Sequence, residues 1–407
     1  MKFSPFILLC TTGLFAIFSS TISKSPVLPL FATYLGANPS EVGIIASVSS
    51  FTGIIASIPS GILSDRFGRK RMLILSAVVF ATAPFLYLLV TNIWQLALIR
   101  FYHGLATAIF IPVSIALVSD LFHKERGKKI GWFSTSTLLG RFMAPVMGGS
   151  IIGILVFNPG LGYKAVYVLC GIAGVIVLLL ALRMPNPSKF IISPTPSLEK
   201  RAVEGWEEVF KSFRSVISKR AILITATVEA AMLFAYGTFE TFLPLYSIGI
   251  GLSAYEIGIF LSAQVITLAL TKPMMGRFSD RHGRKPQIFA GAIIGAVCIG
   301  SFSLFRSFIP LLALSILFGL SLSIVTSATA AFIADLSGPE TRGSAMGVLG
   351  SIMDIGHTTG PIVSGILVAY FGFATAFLGA SLVLLASAVV LLIGVSKSAL
   401  VEKKTTS

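Results

Sequence analysis

Charge is scarce in this sequence, and its scarcity excludes most classes of soluble protein. Asp, Glu, Lys and Arg together make up only 12% of the 407 residues, whereas 55% are hydrophobic. An ordinary soluble domain contains about 25% charged residues. The composition therefore excludes a soluble enzyme, a disordered chain and a nucleic-acid-binding protein with an exposed basic surface. It indicates a polytopic helical membrane protein.

Residues that bind metals or cofactors are also few. The three cysteines are odd in number, far apart and each within an apolar run, so they predict neither a disulfide framework nor a metal site. The four histidines are scattered, and the G-x-x-x-x-G-K-[ST] phosphate loop of a primary pump is absent from the sequence. We therefore expect a protein that is not an enzyme and that needs no metal and no cofactor.

Long apolar runs are abundant. A helix rises about 1.5 Å per residue, so crossing a hydrocarbon core of about 30 Å takes roughly 20 apolar residues. The sequence contains twelve such runs and predicts an all-α membrane protein with twelve transmembrane helices. The predicted spans are 5–34, 41–63, 72–90, 94–118, 130–156, 164–183, 221–247, 255–275, 287–305, 309–333, 344–369 and 373–395.

The positions of the basic residues predict how the chain is oriented. With both termini in the cytoplasm, only Lys164 and Arg306 of the 31 Lys and Arg lie at the outer face, three lie inside spans and the others lie in the cytoplasm. This asymmetry follows the positive-inside rule and explains the net charge of +15 without a nucleic-acid partner. The apolar stretch from Phe3 to Ser23 lacks a cleavage site, so it is predicted to be retained as the first span. We expect a multi-pass protein of the plasma or inner membrane, surrounded by the lipid bilayer.

One polar segment interrupts the series of spans. Residues 184–220 begin with four prolines, which favour an extended backbone, and continue with a mixed-charge stretch whose apolar residues recur at helical spacing. This pattern predicts a cytoplasmic linker with an amphipathic helix at the membrane surface. The linker divides the chain into an N-terminal six-helix bundle, 1–183, and a C-terminal six-helix bundle, 221–407.

The two predicted bundles repeat one another at a shift of about 215 residues. The segment 61–70 (GILSDRFGRK) aligns with 276–285 (GRFSDRHGRK), and the segment 140–149 aligns with 356–365. Because each bundle has an even number of spans, the two copies share one orientation. Parallel repeats of this kind occur in transporters whose substrate site lies near the middle of the membrane, between the repeats.

The repeated loop resembles the G-x-L-x-D-R-x-G-R-K motif of the major facilitator superfamily, and the resemblance covers essentially the whole chain. It implies two pseudo-symmetric six-helix bundles that work by alternating access. It also implies a latch at the cytoplasmic ends of the helices; alternatively, the basic residues of the loop serve only to orient the chain. The latch residues are Gly61, Asp65, Arg66, Gly68 and Arg69, their neighbours Asp120 and Arg126, and the second copy Asp280, Arg281, Gly283 and Arg284.

Small residues in the fifth and eleventh spans extend this resemblance. From Gly131 to Gly149 the fifth span reads G-x8-G-x3-A-P-x2-G-G, which is similar to the motif of the proton-coupled drug antiporters. Small side chains let another helix approach closely, and proline removes a helix hydrogen bond. These residues either serve packing alone or form a bendable seam between the bundles. The helix-packing candidates are Gly140, Pro145, Gly149, Gly356, Gly360 and Pro361.

Six charged residues within the predicted spans are the candidates for transport. A charge at a helix centre costs about 2.5–3.5 kcal/mol on insertion scales, so these side chains are expected to face an aqueous cavity or one another. The cations lie in the first bundle and the carboxylates in the second, which would allow ion pairs that form in one state and break in another. The candidates are Lys24, Arg100, Arg141, Glu229, Glu240 and Asp354.

Glu229 and Glu240 are the candidates for a proton-carrying residue. Their spacing places them on one helix face, about 16 Å apart. A desolvated carboxylate favours its neutral, protonated form. We therefore hypothesise that one of them binds the coupling proton, in competition with Arg100 or Arg141. The alternative is a fixed network of salt bridges that holds the bundles together.

The sequence thus favours a monomeric secondary transporter that exports a small hydrophobic or amphiphilic compound and is driven by protons. The alternative within the same class is uptake of a small organic anion or sugar, with Lys24, Arg100 and Arg141 holding an anionic group. A receptor of the same fold that does not transport its solute is a further alternative. A measured preference for cationic or anionic solutes would separate the two modes of transport.

Overall fold

A computed structural model of the chain describes residues 4–122, 125–184, 219–337 and 342–394. These ranges contain thirteen α-helices and two single-turn 3₁₀ helices, Tyr87–Leu89 and Phe302–Leu304. The α-helices are α1 (Pro5–Ile22), α2 (Val27–Tyr34), α3 (Pro39–Phe67), α4 (Arg69–Leu86), α5 (Ile93–Leu121), α6 (Arg126–Ile154), α7 (Pro159–Leu182), α8 (Arg220–Gly249), α9 (Ala254–His282), α10 (Arg284–Ser301), α11 (Phe308–Leu336), α12 (Arg342–Phe371) and α13 (Phe373–Gly394).

Twelve helical segments in these ranges are long and apolar enough to cross a membrane. They coincide with the twelve predicted spans except for several residues at their ends, so the predicted all-α fold class is confirmed. Large apolar side chains are exposed on the protein surface, including Phe157 at 98% and Leu98 at 70%, which suits a lipid environment. Most of the predicted linker, with its amphipathic helix, falls in residues 185–218 and lies outside the described residues.

The first predicted span is divided into two helices. Helix α1 ends at Ile22, a turn covers residues 23–26, and α2 begins at Val27. Pro26 has no backbone N–H to donate to the carbonyl oxygen of Ile22, so a continuous helix would lose a hydrogen bond there. Lys24 therefore lies in a turn between two helices, which the hydropathy of the segment does not reveal.

Two helices begin with the same capping hydrogen bonds at positions 215 residues apart, the shift predicted for the internal repeat. Asn38 caps α3, accepting a hydrogen bond from the Glu41 amide at 3.0 Å, while its own amide donates to the Glu41 carboxylate at 2.8 Å. At the matching position, Ser253 precedes α9 and exchanges the same two hydrogen bonds with Glu256, at 3.3 and 2.7 Å. Each pair forms a capping box, which satisfies two otherwise unpaired amides. The two copies therefore begin their corresponding helices in the same way.

The described residues form two compact units. The first comprises residues 1–198 and 240–265 and the second comprises 199–239 and 266–407, in each case as far as these ranges are described. The C-terminal part of α8 and the N-terminal part of α9 therefore belong to the first unit. The division into bundles 1–183 and 221–407 stays a prediction.

Aromatic side chains fill the interior of each unit. In the first unit, Tyr87 and Tyr167 stack with ring centroids 4.3 Å apart and planes inclined by 11°. In the second unit, the ring of Phe239 lies 5.4 Å from that of Phe302 and 5.1 Å from that of Phe318. Phe239 is completely buried, so its ring contributes to the core.

Candidate functional site

An ion pair connects the turn after α1 to α8 within the first unit. The Lys24 ammonium lies 2.7 Å from the Glu240 carboxylate, and the two side chains are 19% and 9% exposed. Water screens such a pair only weakly, and removing either partner would leave a poorly solvated charge. This pair joins two of the six charged residues predicted for transport.

The partner of Glu240 differs from the one expected. The sequence suggested Arg100 or Arg141 as the cation that competes for the proton-carrying carboxylate, but the structure pairs Glu240 with Lys24. The reason is the break in the first span, which lets the long side chain of Lys24 leave the helical path. Arg141 is exposed on the surface of the first unit, within electrostatic range of Lys24.

Arg100 is buried within the first unit. Its side chain is 3% exposed. The guanidinium donates to the Ser49 hydroxyl at 2.9 Å and to the Ser23 hydroxyl at 3.4 Å. Arg100 is therefore held by hydroxyl groups from α3 and from the turn after α1, and it is absent from the ion pairs of the described residues.

Glu229 is the second buried carboxylate, and it lies in the second unit. Only 1% of its surface is exposed, and its carboxylate accepts a hydrogen bond from the hydroxyl of Thr329 in α11. The same hydroxyl lies 2.9 Å from the carbonyl oxygen of Val325. The ammonium of Lys272 in α9 lies within electrostatic range of Glu229. Glu229 therefore has both a hydrogen-bond donor and a nearby cation.

The other polar residues of the second unit lie on α8 and α12. The ring of Tyr236 lies 5.4 Å from that of His357, and Asp354, one turn before His357, is partly buried. Thr238 and Ser364 share a buried hydrogen bond of 2.7 Å. These contacts bring α8 and α12 together through polar as well as apolar groups.

The first copy of the repeated loop forms a compact hydrogen-bonded turn. Gly68 has φ of +91°, a backbone conformation that favours glycine, and it separates α3 from α4. The Arg69 guanidinium lies 3.1 Å from the carboxylate of Asp120 at the end of α5 and also donates to the Ser64 hydroxyl. Gly61 lies within α3, and the side chain of Asp65 is outside the described part of the structure.

The second copy repeats this geometry. Gly283 has φ of +92°. The Arg284 guanidinium lies 3.1 Å from Asp335, 3.0 Å from the Ser279 hydroxyl and 2.5 Å from Asp280. The structure therefore joins the first loop to Asp120, which the sequence proposed as its neighbour, and the second loop to Asp335 at the matching position. Arg66, Arg126 and Arg281 are exposed.

The small residues on α6 face two different neighbours. Gly140 lies against the backbone of Leu14 and Phe18 in α1, so it packs within its own predicted bundle and does not form a seam between bundles. Gly149 lies against the backbone of Ala254, and a Cβ on Gly258 would come within 2.5 Å of the Pro145 carbonyl oxygen. The small residues of α6 extend over several turns of the helix, so α1 packs against one part of this row and α9 packs against another.

The matching glycines on α12 pack against α8. Gly356 lies against the backbone of Ala230, and Gly360 lies against that of Phe234. Pro361 approaches Gly237, where a Cβ would come within 2.8 Å of the proline ring. Gly356 and Ala230 occupy the positions that match Gly140 and Leu14, so this helix contact is also repeated.

Four side chains that contribute to these contacts were missed at the sequence level. Lys272 was counted among the cytoplasmic cations, although both the predicted span 255–275 and the observed candidate span Ala254–His282 contain it. Thr329 resembled an ordinary hydroxyl bonded to its own helix. Ser64 and Ser279 had a usable signal, because both copies of the loop contain the same Ser-Asp pair. Within the described ranges, no group of three or more His, Cys, Asp or Glu side chains is arranged to bind a metal ion.

Comparisons with known proteins agree with the repeated architecture. A sequence profile of the Major Facilitator Superfamily matches residues 9–263 and 247–406. An uncharacterized MFS-type transporter of Methanocaldococcus jannaschii is 23% identical over 354 residues, covering 87% of this chain and 88% of that protein. The multidrug resistance protein MdtG of Enterobacter lignolyticus is 26% identical over 374 residues, covering 89% of this chain and 86% of that protein.

A solved structure supports the same fold. A bacterial homolog of the human lysosomal transporter Spinster, in an inward-facing and unoccupied conformation, matches with a TM-score of 0.77 at 16% sequence identity. The match covers 98% of this chain and 96% of that one. At this identity the likeness concerns the fold alone.

Proposed function

Because the chain belongs to the Major Facilitator Superfamily and is a membrane transporter of small solutes, we propose that it exports a small hydrophobic or amphiphilic compound in exchange for protons, by alternating access. The resemblance seen in the repeated loop is confirmed by the match to the family profile. The choice of an amphiphilic solute is supported by the relative named as a multidrug resistance protein, which aligns over most of both chains.

The observation on which proton coupling rests is the buried ion pair between Lys24 and Glu240. While Glu240 is ionised, it compensates the Lys24 charge at 2.7 Å. Protonation would remove that compensation and destabilise the contact, since an unpaired buried charge is costly. A proton bound at Glu240 would therefore favour a conformation in which Lys24 reaches water or another partner. In this way a protonation step can bias a conformational equilibrium.

Glu229 is the second proposed proton-binding residue. The Thr329 hydroxyl can donate to an ionised Glu229 carboxylate, as it does in the structure. If Glu229 is protonated, the carboxyl group can donate to Thr329 while the hydroxyl turns to the Val325 carbonyl oxygen, 2.9 Å away. A hydroxyl both donates and accepts, so both protonation states of Glu229 keep a hydrogen bond.

Transport by the purified protein in proteoliposomes tests this proposal. With an imposed pH gradient, the wild type is expected to accumulate a fluorescent amphiphilic solute against its concentration gradient. Each of the single variants Glu240→Gln and Glu229→Gln removes one proposed proton-binding carboxylate. Each is expected to abolish uphill transport while leaving solute counterflow intact. Glu41→Gln is the matched control, because it makes the same chemical change in a partly exposed residue at a helix start, where glutamine still completes a capping box. Uphill transport by both buried variants at the wild-type rate would contradict the proposal.

A second candidate function, uptake of a small organic anion or sugar, is favoured by one observation. Arg100 and Arg141 both lie within electrostatic range of Lys24, so the first unit concentrates positive charge around the Lys24–Glu240 pair. Such a field would attract an anionic group. In the same proteoliposomes, transport of anionic solutes with exclusion of cationic ones would select this alternative.

A further inference from the structure

Among the described residues, Arg100 is a buried cation without a carboxylate partner. It is 3% exposed, and the ion pairs of the described residues do not include it. A guanidinium has five N–H donors, but only the bonds to Ser23 and Ser49 use them here. The Nε–H of Arg100 is buried without a hydrogen-bond partner in the described structure. A buried charge with this little compensation is strongly unfavourable.

Three further polar groups beside Arg100 are buried without partners. They are the hydroxyls of Tyr87 and Tyr167 and the ring nitrogens of His103, none of which makes a well-aligned hydrogen bond with the described residues; the Tyr87 hydroxyl interacts with the Arg100 guanidinium itself. The Tyr87 and Tyr167 rings stack at 4.3 Å, and the His103 ring lies 5.9 Å from that of Tyr87. The Arg100 charge lies within electrostatic range of all three side chains.

The unpartnered groups indicate that a ligand at this position would accept hydrogen bonds and carry negative charge. Each can donate a hydrogen bond: the Nε–H of Arg100, the phenol O–H groups of Tyr87 and Tyr167, and one ring N–H of His103. Water could accept some of these bonds, but it would not compensate the charge of the guanidinium. A site that combines several donors with an uncompensated positive charge fits an anion.

We propose that Arg100, Tyr87, Tyr167 and His103 bind one monovalent anion, of the size of chloride or a carboxylate group, inside the first unit. All four side chains come from the 3₁₀ turn after α4 and from helices α5 and α7 of the same unit. The anion is either an inorganic ion from solution or the anionic group of a solute. The site does not depend on proton-coupled export, so binding can be tested without any transport assay.

Thermal unfolding of the full-length protein in detergent tests this site. A thiol-reactive fluorogenic dye can report unfolding, because Cys170 and Cys298 are buried in the folded protein. Sodium chloride replaces the sodium salt of a bulky sulfonate buffer, which has no carboxylate group, at constant ionic strength, and a parallel titration uses sodium benzoate without chloride. Binding to the folded state raises Tm in proportion to the logarithm of one plus the ratio of the anion concentration to Kd, and we expect a rise of roughly 1–3 °C at tenfold excess over the dissociation constant. A response to chloride indicates an inorganic ion, whereas a response to benzoate alone indicates the carboxylate of a solute.

Matched variants assign the response to these residues. Arg100→Gln is expected to abolish the anion-dependent rise in Tm, whereas Arg306→Gln removes the same charge from an exposed position and is expected to keep it. The double variant Tyr87→Phe, Tyr167→Phe removes only the two hydroxyls and is expected to weaken binding at least about fivefold. Tyr370→Phe, at a side chain that is 77% exposed, is its control. The double variant decides the question if Arg100→Gln does not fold.

Two results would overturn the proposal. One is a wild-type protein whose Tm responds to neither chloride nor benzoate, which would mean that no anion binds beside Arg100. The other is an equal response in the wild type, in Arg100→Gln and in the double tyrosine variant, which would mean that the anion acts elsewhere on the protein.

Discussion

At the scale of single residues, the embedded charges differ in how each is compensated. Lys24 and Glu240 neutralise one another at 2.7 Å, whereas the described residues hold Arg100 through hydroxyl groups. Glu229 has one hydroxyl donor, Thr329, and the more distant charge of Lys272. The unfavourable free energy of burying a charge is therefore compensated in three ways: by an ion pair, by hydroxyl groups, and by a hydroxyl together with a nearby cation. Substituting the compensating group is expected to change stability differently in each case.

Thr329→Val is predicted to destabilise the protein. Valine has nearly the same shape as threonine but no hydroxyl, so the buried Glu229 carboxylate would lose its donor. Leaving a buried acceptor unpaired costs about 1–3 kcal/mol, and we expect a lower Tm in detergent. Thr359→Val is the control, because the Thr359 hydroxyl is exposed and bonds only within its own helix. If the two variants unfold at the same temperature, the hydroxyl of Thr329 does not stabilise Glu229.

At the scale of helices, the internal repeat recurs in the helix caps, in the turns between helices and in the contacts between side chains. The capping boxes before α3 and α9 match, as do the positive-φ glycines Gly68 and Gly283. The Arg69–Asp120 and Arg284–Asp335 contacts have the same length, 3.1 Å. The glycine at each turn, the arginine directly after it and the serine and aspartate that this arginine contacts recur together, so the same local structure forms twice.

Gly356→Ala is predicted to loosen the contact between α12 and α8. A Cβ at this position would collide with the backbone of Ala230, which cannot move aside as a flexible side chain can. Overpacking of this kind costs typically 1–3 kcal/mol, so Tm should fall and solute counterflow should slow. Gly347→Ala, in the same helix but with open space around the added Cβ, is expected to be neutral or slightly stabilising. Equal effects of the two substitutions would argue against a close helix contact at Gly356.

At the scale of the whole molecule, the asymmetry of basic residues predicts its orientation in the membrane. Phe157 lies in a predicted outer turn and is 98% exposed, whereas Arg281 lies in a predicted cytoplasmic loop and is also exposed. The positive-inside rule places loops rich in Lys and Arg in the cytoplasm. The two loops should therefore react differently with reagents that cannot cross the membrane.

Cysteine labelling in intact cells can measure this difference. In a variant with Cys10, Cys170 and Cys298 replaced by Ser, an impermeant maleimide is expected to label Phe157→Cys from outside. Arg281→Cys in the same background should be labelled only after the cells are permeabilised. The reverse pattern would mean that the chain is inserted with its termini outside.

Hydropathy, the basic residues and the internal repeat together predicted the twelve spans, the two copies of the loop and the family. These features are local or periodic, because a helix in lipid must satisfy its backbone hydrogen bonds within itself, so apolar runs alone indicate the spans. The turn at Gly68 was also predictable from local sequence, because a tight turn between two helices requires a backbone conformation that favours glycine.

The partners of the embedded side chains depended on the tertiary structure. Whether Glu240 meets Lys24 or an arginine, and whether Gly140 faces α1 or another helix, depends on how each helix is rotated and where it crosses its neighbours. That geometry is the sum of many weak packing contacts between small and apolar side chains, and no short stretch of sequence records it. The break at Pro26 illustrates the same limit. The sequence predicted one span over residues 5–34, but the structure places Lys24 in a turn between two helices.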